Sequence, residues 1–324
     1  MSGRVNVKRV FTKIKNYSSN GLQILGLYAV MVVVFSLLSK QYFSLTNFKL
    51  MAANFSIGGI IAAGVFFPML AGVFDLSIGG IASLVSVMVV FFFNMGLPTP
   101  VVILLSLLIG VAVGAANGFV CKTVGVNPII TTIGTGSVVT GLAKWISTSI
   151  GSENIYNETF RAIGSTFIAN KVPLLVLYMV AIYAGLSLLL RYSNFGRKLY
   201  AVGGGFEIAR MAGIHSKRVQ YLTYIISGAF AAFGAVLLVS QLATGRPEFG
   251  LHFTLDAITI CVLGGLVLGG GRGDLLGVFM AVLLLGSIAN GLIMLGISFY
   301  IRFVVTGFFL IVSIIVNELR FRRS

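Results

Sequence analysis

The chain has 324 residues, 57% of them apolar and only 10% charged, with a mean hydropathy of +1.02. A soluble domain carries about 25% charged residues, so this inventory cannot clothe a water-facing surface, and a soluble enzyme, a nucleic-acid binder and a disordered chain are excluded. The formal charge of +15 then reads as a record of orientation, because positively charged loops stay in the cytoplasm.

Apolar runs of roughly 17 to 25 residues, the length that crosses a bilayer as a helix, predict an all-α polytopic membrane protein with about ten transmembrane helices. In chain order they cover 21–38, 54–73, 77–93, 101–120, 128–149, 173–190, 219–239, 255–269, 275–296 and 299–316. The boundary between the second and third is soft, and the glycine-rich eighth is short for a full crossing. A basic segment over 1–20 precedes the first run and a basic tail over 317–324 follows the last. Between them, 21–316 reads as a single transmembrane domain with one long loop at 191–218. The first run leads into Ser39, Lys40, Gln41 and Tyr42, not into a small-residue cleavage pattern, so it reads as a retained span.

With the N-terminus inside, sixteen of the 23 basic residues fall on the cytoplasmic side and seven outside, the asymmetry that sets topology. Both ends are basic, which favours an even number of crossings and two cytoplasmic termini. The sequon Asn157-Glu158-Thr159 lies in the longest outer loop.

Candidate chemistry is sparse. None of the eight acidic residues pairs with His or Cys at a metal spacing, and His215 and His252 fall in loops on opposite sides. The H-E-x-x-H pattern of a metalloprotease is absent, and no span carries a carboxylate dyad of the kind a proton relay uses; Asp256 sits at a span edge. Cys121 and Cys261 have no partner motif and read as small apolar fillers. Glycine, with 40 copies, is well above its usual share of about 7%. Gly110, Gly114 and Gly118 share one face of the fourth run, where small residues serve either close helix packing or a conduit wall. The clusters Gly203-Gly204-Gly205 and Gly269-Gly270-Gly271 lack the lysine that a phosphate loop requires, so any ATP must bind another subunit.

Asp75 and Asp274 each stand just before a leucine that opens a run, where a carboxylate can cap free backbone N–H groups or act in gating. Their separation of 199 residues hints at an internal repeat. Together with Ser77, Gly79, Asn117, Asn127 and Asn290, they are the candidates for translocation and gating.

The 28-residue loop from Arg191 to Arg218 carries six basic residues and one acidic residue, Glu207. Within it, 206–212 predicts a short helix stopped by Gly213, with Phe206, Ala209 and Gly213 on one face and Glu207 and Arg210 on another. Such a helix suits either a groove on a soluble partner or the anionic inner leaflet.

Here the sequence resembles the permease subunits of ribose-type sugar ABC transporters, within the branched-chain and sugar permease family. The similarity is carried by Phe195-Gly196-Arg197-Lys198-Leu199-Tyr200-Ala201-Val202-Gly203-Gly204, by Ala209 through Ile214, and by Asp75-Leu76-Ser77-Ile78-Gly79-Gly80. Two further stretches add to it, Val262 through Gly273 and Gly286-Ser287-Ile288-Ala289-Asn290-Gly291-Leu292. The chain departs from the family at Gly72-Val73-Phe74, where two glycines and an apolar residue are usual, and at Gly205, where asparagine is usual. The resemblance implies a type II importer-like permease in a bacterial inner membrane that imports a sugar or similar polar solute. It implies a second permease chain, identical or paralogous, and a periplasmic or lipid-anchored solute-binding protein. The third implied partner is a cytoplasmic ATP-binding-cassette ATPase, with two nucleotide domains, that holds ATP and Mg; this chain itself carries no cofactor or catalytic site. The residues implied in coupling to that ATPase are Gly203, Gly204, Gly205, Phe206, Glu207, Ala209, Arg210, Gly213 and Ile214. An ATP-independent secondary transporter or channel for a small neutral solute is the alternative that the residues leave open.

Overall fold

The computed structural model describes residues 7–150 and 154–322. Arg4, Glu153, Arg323 and the outer ends of the 1–20 and 317–324 segments lie outside the described residues. The helices are α1 (Val7–Leu38), α2 (Leu45–Leu70), α3 (Ile78–Asn94), α4 (Thr99–Phe119), α5 (Pro128–Ile150), α6 (Glu158–Ser165) and α7 (Leu174–Tyr192). They continue as α8 (Asn194–Gly204), α9 (Phe206–Met211), α10 (Ser216–Leu242), α11 (Phe253–Leu263), α12 (Leu275–Met294) and α13 (Phe299–Arg322). A two-residue hairpin, β1 (Phe167–Ile168) with β2 (Val172–Pro173), is the sheet structure among the described residues.

A helix satisfies every backbone group within its own segment, which lipid demands, and the apolar runs supply the side chains. Among the described residues six helices are long and apolar enough to cross a membrane: α2, α4 with its extension to Val124, α5, α7, α10 and α12. Shorter apolar helical stretches occupy Gln23–Leu38, Ile78–Asn94 and Tyr300–Val316. Among the described residues, length and composition thus mark six full-length candidate spans and three shorter apolar stretches, where the sequence predicts about ten transmembrane helices. The eighth predicted run is helical only over Phe253–Leu263 and then breaks into glycine-rich turns. α1 begins at Val7 and α13 runs to Arg322, so each helix continues beyond its apolar stretch into the adjoining basic segment.

The centre of the bundle is α2 and α10, with 78% and 61% of their most apolar windows buried against 22% for α5 and α7. The Gly110, Gly114 and Gly118 face lies against α10. A Cβ on Gly110 would stand 2.3 Å from the Gly228 carbonyl oxygen, one on Gly114 2.3 Å from that of Tyr224, and one on Gly118 2.7 Å from the Tyr221 ring. The stripe is a packing seam, and bare backbone is the reason the two helices fit.

Breaks are marked by residues that tolerate special backbone. Gly72, at φ +76°, turns the chain between α2 and α3. A π-helical turn at Val120–Val124 extends α4 and is closed by Gly125 at φ +92°. In the loop between α5 and α7 Asn157 caps α6, its side chain accepting from the Phe160 N–H at 2.9 Å, which gives the sequon's asparagine a structural task.

Candidate functional site

Three polar places stand out. The first is the bundle end where α8 and α9 link α7 to α10. Phe206–Met211 is helical and ends in two bonds, Ile214 N–H to the Ala209 carbonyl at 3.0 Å and Gly213 N–H to the Arg210 carbonyl at 3.0 Å. Gly213, at φ +80°, supplies the left-handed residue that this double-bonded stop requires. The Ser216 hydroxyl ties the end of the loop back to the Phe206 carbonyl at 3.1 Å.

The structure sorts the residues of α9 into an inward and an outward set. Ala209 is 4% exposed and Phe206 is half-buried against the core, so they anchor α9 to the bundle. The outward apolar residues are Ile208 and Met211, 69% and 79% exposed, beside a Glu207–Arg210 ion pair at 3.3 Å. A period of three to four residues allows either set to be the inner one, and only the contacts of α10 decide it.

The glycines of this loop also differ in role. A Cβ on Gly203 would fall 1.9 Å from the Leu70 carbonyl oxygen and 2.3 Å from Gly271 N, and Gly271 N–H donates to that same carbonyl at 2.8 Å. The end of α2, the 269–271 glycine turn and the end of α8 therefore meet backbone to backbone. Gly204 has open space at its Cβ, and Gly205 links α8 to α9.

The second place is the turn between α2 and α3. Asp75 is 1% exposed, and its Oδ1 accepts from Ser77 N–H at 3.0 Å and Ser77 Oγ at 2.6 Å. Asn117 of α4 donates to Ser77 Oγ at 2.8 Å. Asp75 Oδ2, Asn117 Oδ1, Ser227 Oγ and Tyr224 Oη are buried without a hydrogen bond of regular geometry. Burial pushes the Asp75 carboxyl pKa up, and the neighbouring Ser77 and Ser227 hydroxyls offset only part of that.

The remaining gating candidates do not join this cluster. Asp274 is exposed before α12 and makes no side-chain cap, so the two aspartates have different surroundings despite their matched sequence settings. Asn127 is exposed and accepts from Ile129 N–H at 2.9 Å at the start of α5. Gly79 is a packing site, with Gly250 O at 2.8 Å from its Cβ position and its N–H donating to Thr254 Oγ1 at 3.0 Å. Asn290 lies at the opposite end of the bundle from α8 and α9, in a reciprocal pair with Asn47 at 3.0 and 3.1 Å.

The third place, which the sequence reading passed over, is a cavity of about 210 Å³ between α2, α10, α11, α12 and α13. Asn54, Gln241, His252, Asp256, Asn290 and Arg302 put polar groups on its wall. Asp256 forms an ion pair with Arg302, and Thr306 Oγ1 lies 3.3 Å from Asp256 Oδ1. Burial, and after it the Arg302 charge, lowers the His252 pKa to about 4 against the opposing pull of Asp256. Asp256 thus sits at a helix edge, in the first turn of α11, as a largely buried group paired with Arg302. The available signal was Arg302, a lone cation four residues into an apolar run, which calls for a partner. Among the described residues no three His, Cys, Asp or Glu side chains are grouped to hold a metal ion.

Residues 47–314 match the family described as branched-chain amino acid transport system / permease component. The ribose import permease protein of Bacillus subtilis (strain 168) is 32% identical over 299 residues, covering 91% of each chain. The L-arabinose transport system permease protein of Escherichia coli (strain K12) is 32% identical over 305 residues, covering 91% of this chain and 89% of that one. The galactose/methyl galactoside import permease protein of Haemophilus influenzae is 29% identical over 332 residues, covering 96% and 98%. No solved structure matches the chain. With helices apolar enough to span a bilayer, and similarity from one end of the relatives to the other, this chain belongs to the branched-chain and sugar permease family and is a multi-pass ABC transporter permease of its sugar branch.

Proposed function

We propose that the chain is the membrane-spanning subunit of a type II ATP-binding-cassette importer that moves a sugar or sugar-like neutral solute into the cytoplasm. ATP with Mg is hydrolysed in a separate subunit, a cassette ATPase with two nucleotide domains. A second permease chain completes the pathway, and a periplasmic or lipid-anchored binding protein delivers the solute. The protein resides in a bacterial inner membrane with about ten crossings and both termini in the cytoplasm. The observation that carries coupling is α9: a short helix tied to the bundle by Ala209, Phe206 and Ser216, presenting Ile208, Met211 and the Glu207–Arg210 pair outward. Such a helix transmits a push from a soluble partner to the α2 end, because α8 meets Leu70 and Gly271 backbone to backbone.

The test is uptake of D-ribose, L-arabinose and D-galactose into vesicles from cells expressing the chain with its neighbouring ATPase and binding protein. Uptake of one of them only when ATP is inside the vesicle is expected, and its loss when Glu207 and Arg210 are replaced together or 205–211 is deleted, with membrane insertion intact. Uptake that persists without ATP or the ATPase favours a secondary transporter or channel. A 205–211 deletion variant that co-purifies with the ATPase at full yield overturns docking through α9.

A further inference from the structure

We propose that the cavity between α2, α10, α11, α12 and α13 is a solute-binding station within a single permease chain, built for one neutral monosaccharide. The inference rests on the importer reading and names where, inside one subunit, the cargo is held.

The cavity lies at the bundle end opposite α8 and α9. Its volume of about 210 Å³ equals that of about seven liquid waters at about 30 Å³ each, which is room for one sugar ring. Its wall suits a molecule with polar edges and apolar faces. Asn54 and Gln241 stand together, Gln241 Nε2 donating to Asn54 Oδ1 at 3.0 Å. Gln241 Oε1 is buried and has no partner, and a buried acceptor without a donor is costly, so a sugar hydroxyl placed there supplies what the protein lacks. Phe55 and Phe253 offer apolar area beside these amides, the pairing that C–H faces and hydroxyl edges of a sugar ring require. The charges are already paired, Asp256 with Arg302, so the station presents dipoles more than net charge. That selects a neutral guest, because a charged one would surrender its hydration without a free counter-charge to meet it.

Two glycines keep the space open. Gly286 is fixed by close packing, since a Cβ there would lie 2.1 Å from the Phe55 ring. Gly58 is different: it sits in mid-helix on the cavity wall, and a Cβ there meets nothing within 4 Å. A larger side chain at 58 grows into the empty volume without a clash, and helix propensity favours leucine over glycine. Gly58→Leu therefore fills the station while leaving the fold in place.

The experiment has two arms on the full chain in membranes. In the first, Ala289→Cys on the cavity wall is alkylated with a small hydrophilic thiol reagent, with and without D-ribose, L-arabinose or D-galactose; the buried Cys121 and Cys261 set the background. One sugar is expected to slow labelling about tenfold when present about tenfold above its dissociation constant. Introducing Gln241→Leu is expected to raise the concentration needed about tenfold. In the second arm uptake is measured for the unsubstituted chain, Gly58→Ala and Gly58→Leu at matched membrane yield. Uptake should be lost with leucine and largely kept with alanine. Uptake that proceeds through Gly58→Leu, together with labelling that no sugar slows, overturns the station and leaves the importer reading standing. Sugar protection without ATP-dependent uptake supports the station and overturns the importer reading. Absence of both protection and uptake overturns both.

Discussion

Asp75 is the residue on which burial and charge conflict most directly. The turn between α2 and α3 hides it, and its Oδ2 receives no hydrogen bond of regular geometry, so the neutral carboxyl is favoured in the folded chain. The sign follows by linkage. Between the ordinary carboxylate pKa of 3.8 and the raised folded value, the folded chain holds a proton that the unfolded chain has released. Stability therefore falls as pH rises through that window. Asp75→Asn keeps the acceptor for the Ser77 hydroxyl and N–H and removes the titration. Thermal unfolding of the purified chain should show the variant gaining on the parent as pH rises above the ordinary carboxylate value of 3.8; a difference that stays constant with pH refutes the account. The carboxylate and its D-L-S setting are legible in the sequence. The Asn117 bond to its neighbour Ser77 and the approach of the Ser227 hydroxyl, 152 positions from Asp75, are not, because they exist only once α4 and α10 close over the turn.

At the scale of elements, the α4–α10 seam depends on bare backbone. Gly114→Val would place carbon 2.3 Å from the Tyr224 carbonyl oxygen, and backbone cannot rotate away as a side chain can. Overpacking of this kind costs about 1–3 kcal/mol, so thermal unfolding in detergent should drop markedly. Gly134→Ala in α5, where a Cβ meets nothing within 4 Å, should leave it unchanged. The glycine spacing in α4 announces a close approach and favours a seam, but the periodicity alone does not exclude a conduit wall. The tertiary partner chooses the seam. For α9 the helix, its glycine stop and the Glu207–Arg210 pairing follow from local rules, while only tertiary contacts decide which apolar residues turn inward. An exposed ion pair contributes about 0–1 kcal/mol, so replacing Glu207 and Arg210 should change coupling and not unfolding temperature.

Across the whole molecule, the α8–α9 end and the end holding the α6 loop and the hairpin should open to opposite sides of the membrane. Cysteine introduced at Ile208 or Met211 should react with an impermeant reagent only in inside-out vesicles, and cysteine at Tyr156 only in right-side-out ones; the reverse pattern refutes the orientation. The chain's own inventory decided the solvent, the helical class and the family, because low charge, long apolar runs and ordered motifs are properties of the string. It also placed most span boundaries within a few residues, since the polarity of a residue is enough to tell lipid from loop. Tertiary structure alone decided which helices are central, which glycines are seams, which face of α9 is free, and that Asp256 meets Arg302 beside an open cavity. Those outcomes depend on contacts between residues far apart in the chain, 46 positions for the ion pair and 187 for Gln241 with Asn54, and local pattern carries no record of them.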